Sequence, residues 1–228
     1  MGEDKRRGNL QNMISHPNQR IGIFIDTQNM YYSARNVFGR KVNFGNIVKD
    51  AVGDRKLVRA IAYVVRTKSE EEQPFFDALA NLGIETREKE LMQYESGQKK
   101  ADWDVGLVID IVRMLDMLDV VVLISGDGDF TALVDYAKNR GRIVEVMSFR
   151  ETTSAKLVDA ADHYINLSEN PKKFLIGPAR RGPMNPPKGG EVLIEKDEET
   201  EPFDSAQGLR GDGGGGTVED VNFDWLKS

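Results

Sequence analysis

The stretch Val120-Val121-Val122-Leu123-Ile124-Ser125-Gly126-Asp127-Gly128-Asp129-Phe130 predicts a buried strand that ends in an acidic turn. Its first five residues are apolar and the three valines are β-branched, which is typical of a strand covered on both faces. The two glycines allow a sharp turn, and the residues that follow, to Ala137, have helical character. Two carboxylates therefore lie at the carboxyl end of a strand, where sites form in open α/β sheets.

Strands and helices alternate on both sides of this stretch, from residue 20 to residue 168. The alternation predicts right-handed crossovers and a parallel sheet with helices on both faces, which is an α/β/α sandwich. The predicted strands are 20–26, 57–65, 84–88, 120–124, 143–147 and 164–167. The predicted helices are one from Thr27, then 43–51, 70–82, 101–118 and 130–137, and one that runs from a cap at 152–154 to Ala161.

Composition divides the chain into a flexible polar arm at 1–19, the α/β domain at 20–168 and a tail at 169–228. The tail carries 6 of the 8 prolines and 10 of the 22 glycines. Because such a segment offers too little apolar surface to bury, we expect it to be disordered. Its aromatic end, Phe223–Leu226, is the exception and a candidate docking site for a protein partner. The sequence leaves a homo-oligomer open.

The composition of the 228 residues excludes several classes of protein. The chain has no cysteine, which excludes disulfides and thiolate zinc sites. No apolar run approaches the roughly 20 residues that cross a bilayer, and the first residues are polar. We therefore expect a cytoplasmic protein with no membrane contact. The net charge of −6 argues against a broadly basic nucleic-acid-binding protein, although acids gathered at a metal site also make the balance negative.

Four aspartates from separate parts of the sequence are predicted to meet at one edge of the sheet. Asp26 ends the first strand, and Asp104 lies near the start of the helix after the third strand. Asp127 and Asp129 follow the fourth strand. In a parallel sheet, strand carboxyl ends and the following helix amino ends share one edge. Asn29, in the first turn of the first helix, adds a neutral oxygen there.

Clustered carboxylates raise one another's pKa unless a cation neutralises them. Carboxylate, amide and water oxygens suit a hard ion, so the predicted cofactor is Mg²⁺ or Mn²⁺. Such an ion activates water and stabilises phosphate oxygens and a leaving oxygen, which is the chemistry of phosphodiester hydrolysis. Any single aspartate after a strand is more often a turn former, so the prediction depends on the convergence of the set.

Other candidate residues receive structural interpretations. Asp110 on a helix interior and Asp119 at a strand start are expected to serve the fold, with Asp119 at the opposite edge of the sheet. Asp102 is expected to be a solvated or capping acid. The two histidines, His16 and His163, lack the spacing of metal ligands.

Three motifs resemble those of the NYN domain family, in its LabA-like bacterial branch. The first is Ile23–Asp26 with Asn29, and the second is Lys100–Asp110, with Asp104 and a further acid six residues on. The third and most specific is Asp119 followed by the apolar strand and Ser125–Phe130. The resemblance covers about residues 20–168. Gln28 departs from it, since many members carry a small residue before the asparagine.

The resemblance implies a PIN-like fold and a metal-dependent ribonuclease-type site. The site residues that it implies are Asp26, Asn29, Asp104, Asp127 and Asp129, with Ser125 in support. Two other functions stay open at this point. One is a non-catalytic module that binds RNA or a nucleotide at the same edge. The other is a phosphatase with Asp26 as nucleophile, although that chemistry expects a second aspartate where Gln28 stands.

The predicted RNA contacts are basic residues in segments that adjoin the acidic edge. They are Arg66, Lys68, Lys99, Lys100 and Arg150. Because an open edge with few basic groups grips a duplex weakly, the expected substrate is single-stranded RNA.

Overall fold

The computed structural model describes residues 16–66, 73–90, 92–93, 99–100 and 103–177. A six-stranded sheet lies at the centre, and every neighbouring pair of its strands is parallel. The strands of the described chain are β1 (Arg20–Asp26), β2 (Lys41–Val42), β3 (Lys56–Arg66), β4 (Glu85–Glu90), β5 (Met92–Gln93), β6 (Lys99–Lys100), β7 (Val120–Ile124), β8 (Ile143–Ser148), β9 (His163–Asn166) and β10 (Leu175–Ile176). The order in the main sheet is β4-β3-β1-β7-β8-β9.

Helices connect these strands and cover both faces of the sheet. They are α1 (Thr27–Phe38), α2 (Phe44–Val52), α3 (Gln73–Asn81), α4 (Asp104–Met114), α5 (Thr131–Asn139), α6 (Ala155–Ala160) and α7 (Pro171–Phe174). Short 3-10 turns lie at Leu115–Met117, Gly128–Phe130, Arg150–Thr152 and Leu167–Glu169. The predicted α/β/α sandwich is confirmed. The helix predicted at 101–118 is shorter, because α4 begins at Asp104 and passes into a 3-10 turn at Leu115.

Strand β7 is buried on both faces, as its apolar run predicts. Val120, Val122 and Ile124 pack in a core cluster with residues of α1, α2 and α3. Val121 and Leu123 pack in the second cluster, with residues of α4, α5 and α6. Two hydrophobic layers therefore hold β7 and its neighbour β1 at the centre of the sheet, which fixes where their carboxyl ends lie.

Asp119 lies at the amino edge of the sheet, opposite the predicted site. Its carboxylate accepts hydrogen bonds from the Arg20 backbone nitrogen at 2.8 Å and from the Arg20 guanidinium at 2.8 and 3.1 Å. The Arg20 hydrogen bonds hold the pKa of Asp119 down at about 2. The expectation that Asp119 serves the fold is confirmed.

Packed structure continues beyond residue 168, where the sequence analysis places the end of the domain. Strand β10 pairs antiparallel with β2, and Phe174 and Leu175 are buried. The Arg40 guanidinium donates to the carbonyls of Pro171, Leu175 and Gly177 at 3.2, 2.9 and 2.8 Å. Apolar burial and an arginine from the first half of the chain thus hold this segment.

Candidate metal centre

Three carboxylates meet at the carboxyl edge of the sheet. Asp104, Asp127 and Asp129 each offer an oxygen, and these three oxygens lie within 4.8 Å of one another. Asp104 is the first residue of α4, while Asp127 and Asp129 follow β7. Oxygens bound to one hard cation at roughly 2.0–2.6 Å lie less than about 5.2 Å apart, so this spacing fits a single ion.

Asp26 ends β1 beside these three residues but does not belong to the same close set. Its Oδ1 accepts the backbone N–H of Asn29 at 3.0 Å, which caps α1. Its Oδ2 accepts the Ser125 hydroxyl at 3.1 Å. Both oxygens are therefore held in place by the protein, and Asp26 lies next to the cluster in a fixed orientation.

The electrostatics of Asp26 reflect its surroundings. The pKa of its carboxyl group is raised to about 6, chiefly by burial and to a smaller extent by the neighbouring charges of Asp104 and Asp127. The hydrogen bonds from Asn29 and Ser125 oppose that rise in pKa because they stabilise the carboxylate. Among the described residues, no basic side chain forms an ion pair with Asp26, Asp127 or Asp129.

Asn29 links the first helix to the turn after β7. Its Oδ1 accepts the backbone N–H of Gly126 at 2.9 Å. The sequence predicts that Asn29 supplies a neutral oxygen ligand to a metal site, and in the structure the same oxygen holds the turn that carries Asp127. Asn29 therefore positions the acidic turn.

Ser125 is fully buried and bridges the two central strands. Its hydroxyl donates to Asp26 and accepts the backbone N–H of Asp127 at 3.2 Å. Asp127 in turn accepts the backbone N–H of Asp129 at 3.0 Å. One chain of hydrogen bonds thus runs from the end of β1 to the end of β7, and it sets the relative positions of three of the four acids.

Gly126 and Gly128 allow another loop to press against the acidic turn. A Cβ on Gly126 would lie 2.9 Å from the Thr152 carbonyl oxygen, and one on Gly128 would lie 2.8 Å from the Ser154 hydroxyl. The Ser154 backbone N–H also donates to the Gly126 carbonyl at 3.0 Å. Glycine is needed at both positions because of this close approach.

Trp103 fixes the start of α4 and with it Asp104. Its indole N–H donates to the Val64 carbonyl at 2.9 Å, and its ring meets Tyr63 edge-on at 5.5 Å between centroids. A Cβ on Gly106 would lie 2.7 Å from the indole ring, so the helix approaches the ring through a glycine. This role of Trp103 was not predicted. A tryptophan three residues before a helical glycine is a local signal of the close contact between ring and helix, but not of the hydrogen bond to Val64.

Four of the five predicted RNA-binding residues lie among the residues that the structure describes. Arg66 ends β3 and Arg150 follows β8, so they lie at the acidic edge on either side of the central strands. Arg66 pairs with Glu88 at 2.7 Å, and the Arg150 guanidinium donates to the Thr153 carbonyl at 3.4 Å. Lys99 and Lys100 form β6, which pairs antiparallel with β5. Lys68 and the Phe223–Leu226 patch lie outside the described residues.

A model of the NYN domain family matches residues 20–168, the stretch that contains the three clustered aspartates and Asp26. This chain belongs to the NYN domain family. Low amplitude and bright protein LabA of Synechococcus elongatus is 28% identical over an alignment of 202 residues, and the match covers 82% of this chain and 94% of LabA. A crystal structure of a Vibrio parahaemolyticus protein of unknown function is 31% identical, with a TM-score of 0.65, and the match covers 71% of this chain and 99% of that one.

These matches confirm the NYN domain and the LabA-like branch that the motifs resemble. NYN domains are nuclease-like, and the acidic cluster of this NYN domain could hold a divalent metal ion. The donor set fits a hard cation because it consists of carboxylate oxygens alone. Within the described ranges, no helix has the length and apolar character of a membrane span.

Proposed function

We propose that this NYN protein is an Mg²⁺- or Mn²⁺-dependent endoribonuclease that hydrolyses single-stranded RNA. The observation that carries the proposal is the cluster of carboxylate oxygens from Asp104, Asp127 and Asp129 within 4.8 Å of one another. A fourth acid, Asp26, lies beside them without a described ion-pair partner. Such a cluster destabilises a fold through repulsion, which a divalent cation would relieve.

Each acid has a proposed role. Asp104, Asp127 and Asp129 would hold the ion, which when bound lowers the pKa of water and stabilises the charge on phosphate oxygens. Asp26 has a pKa of about 6, which suits a group that takes up a proton near neutral pH. Ser125 and Asn29 would keep Asp26 and the acidic turn in register.

The expected products are a 5′-phosphate and a 3′-hydroxyl, because water attacks phosphorus and the 3′ oxygen leaves. A route through the ribose 2′-hydroxyl would need acid–base groups such as a histidine pair at the site. Both histidines lie elsewhere: His16 precedes β1, and His163 begins β9, so each lies toward the amino edge of the sheet. No cyclic phosphate is therefore expected.

The position of the basic residues supports RNA as substrate. Arg66 at the end of β3 and Arg150 in the turn after β8 flank the acids on either side. A single strand of RNA that crosses this edge would meet the Arg66 guanidinium, then the acidic cluster with its metal, and then the Arg150 guanidinium. Two such contacts give a modest, salt-sensitive hold on a phosphate backbone, which suits a single strand better than a duplex.

The test is cleavage of a labelled single-stranded RNA by purified protein with Mn²⁺, with end-group analysis of the products. Asp127→Asn removes one proposed ligand with little change in shape. Asp116→Asn is the matched control, since Asp116 is exposed and its carboxylate pairs with Arg140 away from the cluster. Cleavage by the parent and by Asp116→Asn, but not by Asp127→Asn, supports the proposal. Equal cleavage by all three proteins contradicts it, and so do cyclic-phosphate products. RNA binding without cleavage under any metal favours a non-catalytic module.

A further inference from the structure

An apolar groove with a volume of about 250 Å³ runs along α3, where it faces β2, α2 and β10. Its lining includes Phe44, Phe75, Leu79, Leu82 and Ile176. Leu82 and Ile176 are each 51% exposed, which is high for side chains of this size. Contiguous exposed apolar surface in a groove marks an interaction site, because its contact with water is unfavourable.

The described chain itself leads to this groove. Ile176 lines it, and the next residue, Gly177, is the last one that the structure describes. Fifty-one residues follow, from 178 to 228. The segment from 178 to 228 is therefore joined to the domain at a residue next to the groove.

The end of this following chain has the chemistry to fill an apolar groove. After Gly213–Gly216, the segment Val221-Asn222-Phe223-Asp224-Trp225-Leu226 places valine, phenylalanine and tryptophan at alternate positions. In an extended segment, alternate side chains point to the same side. The groove volume suits an aromatic ring and a smaller neighbour, and aromatic anchors contribute the most to such contacts.

Charge also favours this occupant. The segment and its approach carry three acids, Glu219, Asp220 and Asp224. Lys41 is exposed and lines the groove at its rim. Attraction between the acids and this lysine would orient the segment, although at the surface it adds little affinity.

We propose that Val221–Leu226 docks in this groove of its own chain. The linker between Gly177 and Val221 has 43 residues, and a flexible chain of that length spans roughly 36 Å on average, enough to reach the groove from Ile176. A tether of this kind supplies an effective concentration of about 1 mM, so even a weak contact is mostly occupied. The docking does not depend on the nuclease activity.

The test uses the full chain and its lack of cysteine, which leaves introduced thiols as the only ones present. Ala78→Cys places a thiol on an exposed lining position of the groove, and Asn222→Cys places one in the segment without removing its apolar side chains. Mild oxidation of the double variant should form an intramolecular disulfide, seen as a faster-migrating monomer on a non-reducing gel.

The matched control adds Trp225→Ala to the same double-cysteine chain. If the segment docks, this change should slow disulfide formation at least tenfold, and Ile176→Asp in the groove should do the same. The Ile176 side chain is half exposed, so its replacement leaves the buried core unchanged, and an unchanged circular dichroism spectrum of both variants checks the fold. Equal rates with and without Trp225 overturn the proposal, since a random tether would then explain the crosslink. Concentration-dependent disulfide dimers also overturn it, in favour of docking to a second copy.

Discussion

Acids at the two edges of the same sheet differ in the groups that surround them. Toward the amino edge three acids have a basic partner: Asp119 pairs with Arg20, Asp162 with Lys138 at 3.2 Å, and Glu145 with Arg55 at 2.7 Å. At the carboxyl edge Asp104, Asp127 and Asp129 converge on one another beside Asp26. The pKa of Asp119 falls to about 2, because Arg20 stabilises its charge, while burial raises that of Asp26 to about 6. Paired acids favour folding, whereas clustered acids oppose it and indicate a function.

The largest expected effect comes from breaking a buried pair. Arg55 and Glu145 side chains are only 8% and 11% exposed, and Arg55 donates to both Glu145 oxygens. Glu145→Ala leaves a buried guanidinium without its partner, so we expect a loss of about 3–5 kcal/mol in the free energy of unfolding. Urea denaturation measures this loss. An unchanged midpoint would mean that paired acids do not stabilise this fold.

The next prediction concerns Asp26 in the metal-free protein. Because its pKa is raised, the folded state holds this proton more tightly than the unfolded state between about pH 4 and pH 6. Stability therefore falls as pH rises through that window. Asp26→Asn keeps an oxygen for the Asn29 N–H and stays neutral, so it should be more stable than the parent at pH 8, by on the order of 2–3 kcal/mol.

Urea denaturation with chelator at pH 4 and at pH 8 tests this. The difference between the variant and the parent should be present at pH 8 and almost absent at pH 4. A variant that is less stable than the parent at pH 8 would show that the Asp26 charge helps the fold.

The third prediction concerns metal binding, which we expect at the carboxyl edge of the sheet. Asp104→Asn and Asp127→Asn should each weaken Mn²⁺ binding by roughly 10- to 100-fold, on the order of 1.4–2.7 kcal/mol, because each removes a charged ligand. Calorimetry with Mn²⁺ alone measures the affinity. Asp116→Asn is again the control, since it removes the same charge outside the cluster. If Asp116→Asn lost as much Mn²⁺ affinity, the loss in the other variants would be explained by net charge and not by a removed ligand.

The smallest effect is expected at the exposed pair Arg20–Asp119. Its side chains are 48% and 36% exposed, so solvent screens their attraction and Asp119→Asn should cost roughly 0.5–1 kcal/mol. The depressed pKa means that this contribution is present above about pH 4 and is lost as pH falls toward 2. Thermal melts at pH 7 and pH 2.5 should show the difference at the first pH and little at the second.

Features that follow from periodicity and topology could be predicted from the sequence. The apolar run of β7 predicted its burial on both faces, and the parallel alternation predicted that Asp104 and Asp127 would meet. Contacts between residues that are far apart in the sequence could not be predicted in this way. The hydrogen bond from Trp103 to Val64 joins residues 39 apart, and the Asn29–Gly126 contact joins residues 97 apart. No local pattern encodes such partners.

The end of the domain shows a second limit. The residues after 168 are rich in proline and glycine, so composition predicts the end of the domain there. A few apolar residues within this segment do not change its overall composition. Phe174 and Leu175 are nevertheless buried, since β2 offers a short strand to pair with and Arg40 binds three carbonyls. Whether a short apolar pair is buried depends on what surface the rest of the chain leaves open.

The pairing of β1 with β7 has a consequence for how the protein is made. Asp26 and Ser125, like Arg20 and Asp119, are bonded across 99 positions of the chain. Contacts of such high sequence separation close late, because the intervening loop must lose its freedom first. During synthesis, β1 has no β7 beside it until more than half of the chain has left the ribosome. A nascent chain therefore brings Asp26 beside the acidic turn only once β7 has paired with β1, and any hydrolytic capacity arises no earlier than that pairing.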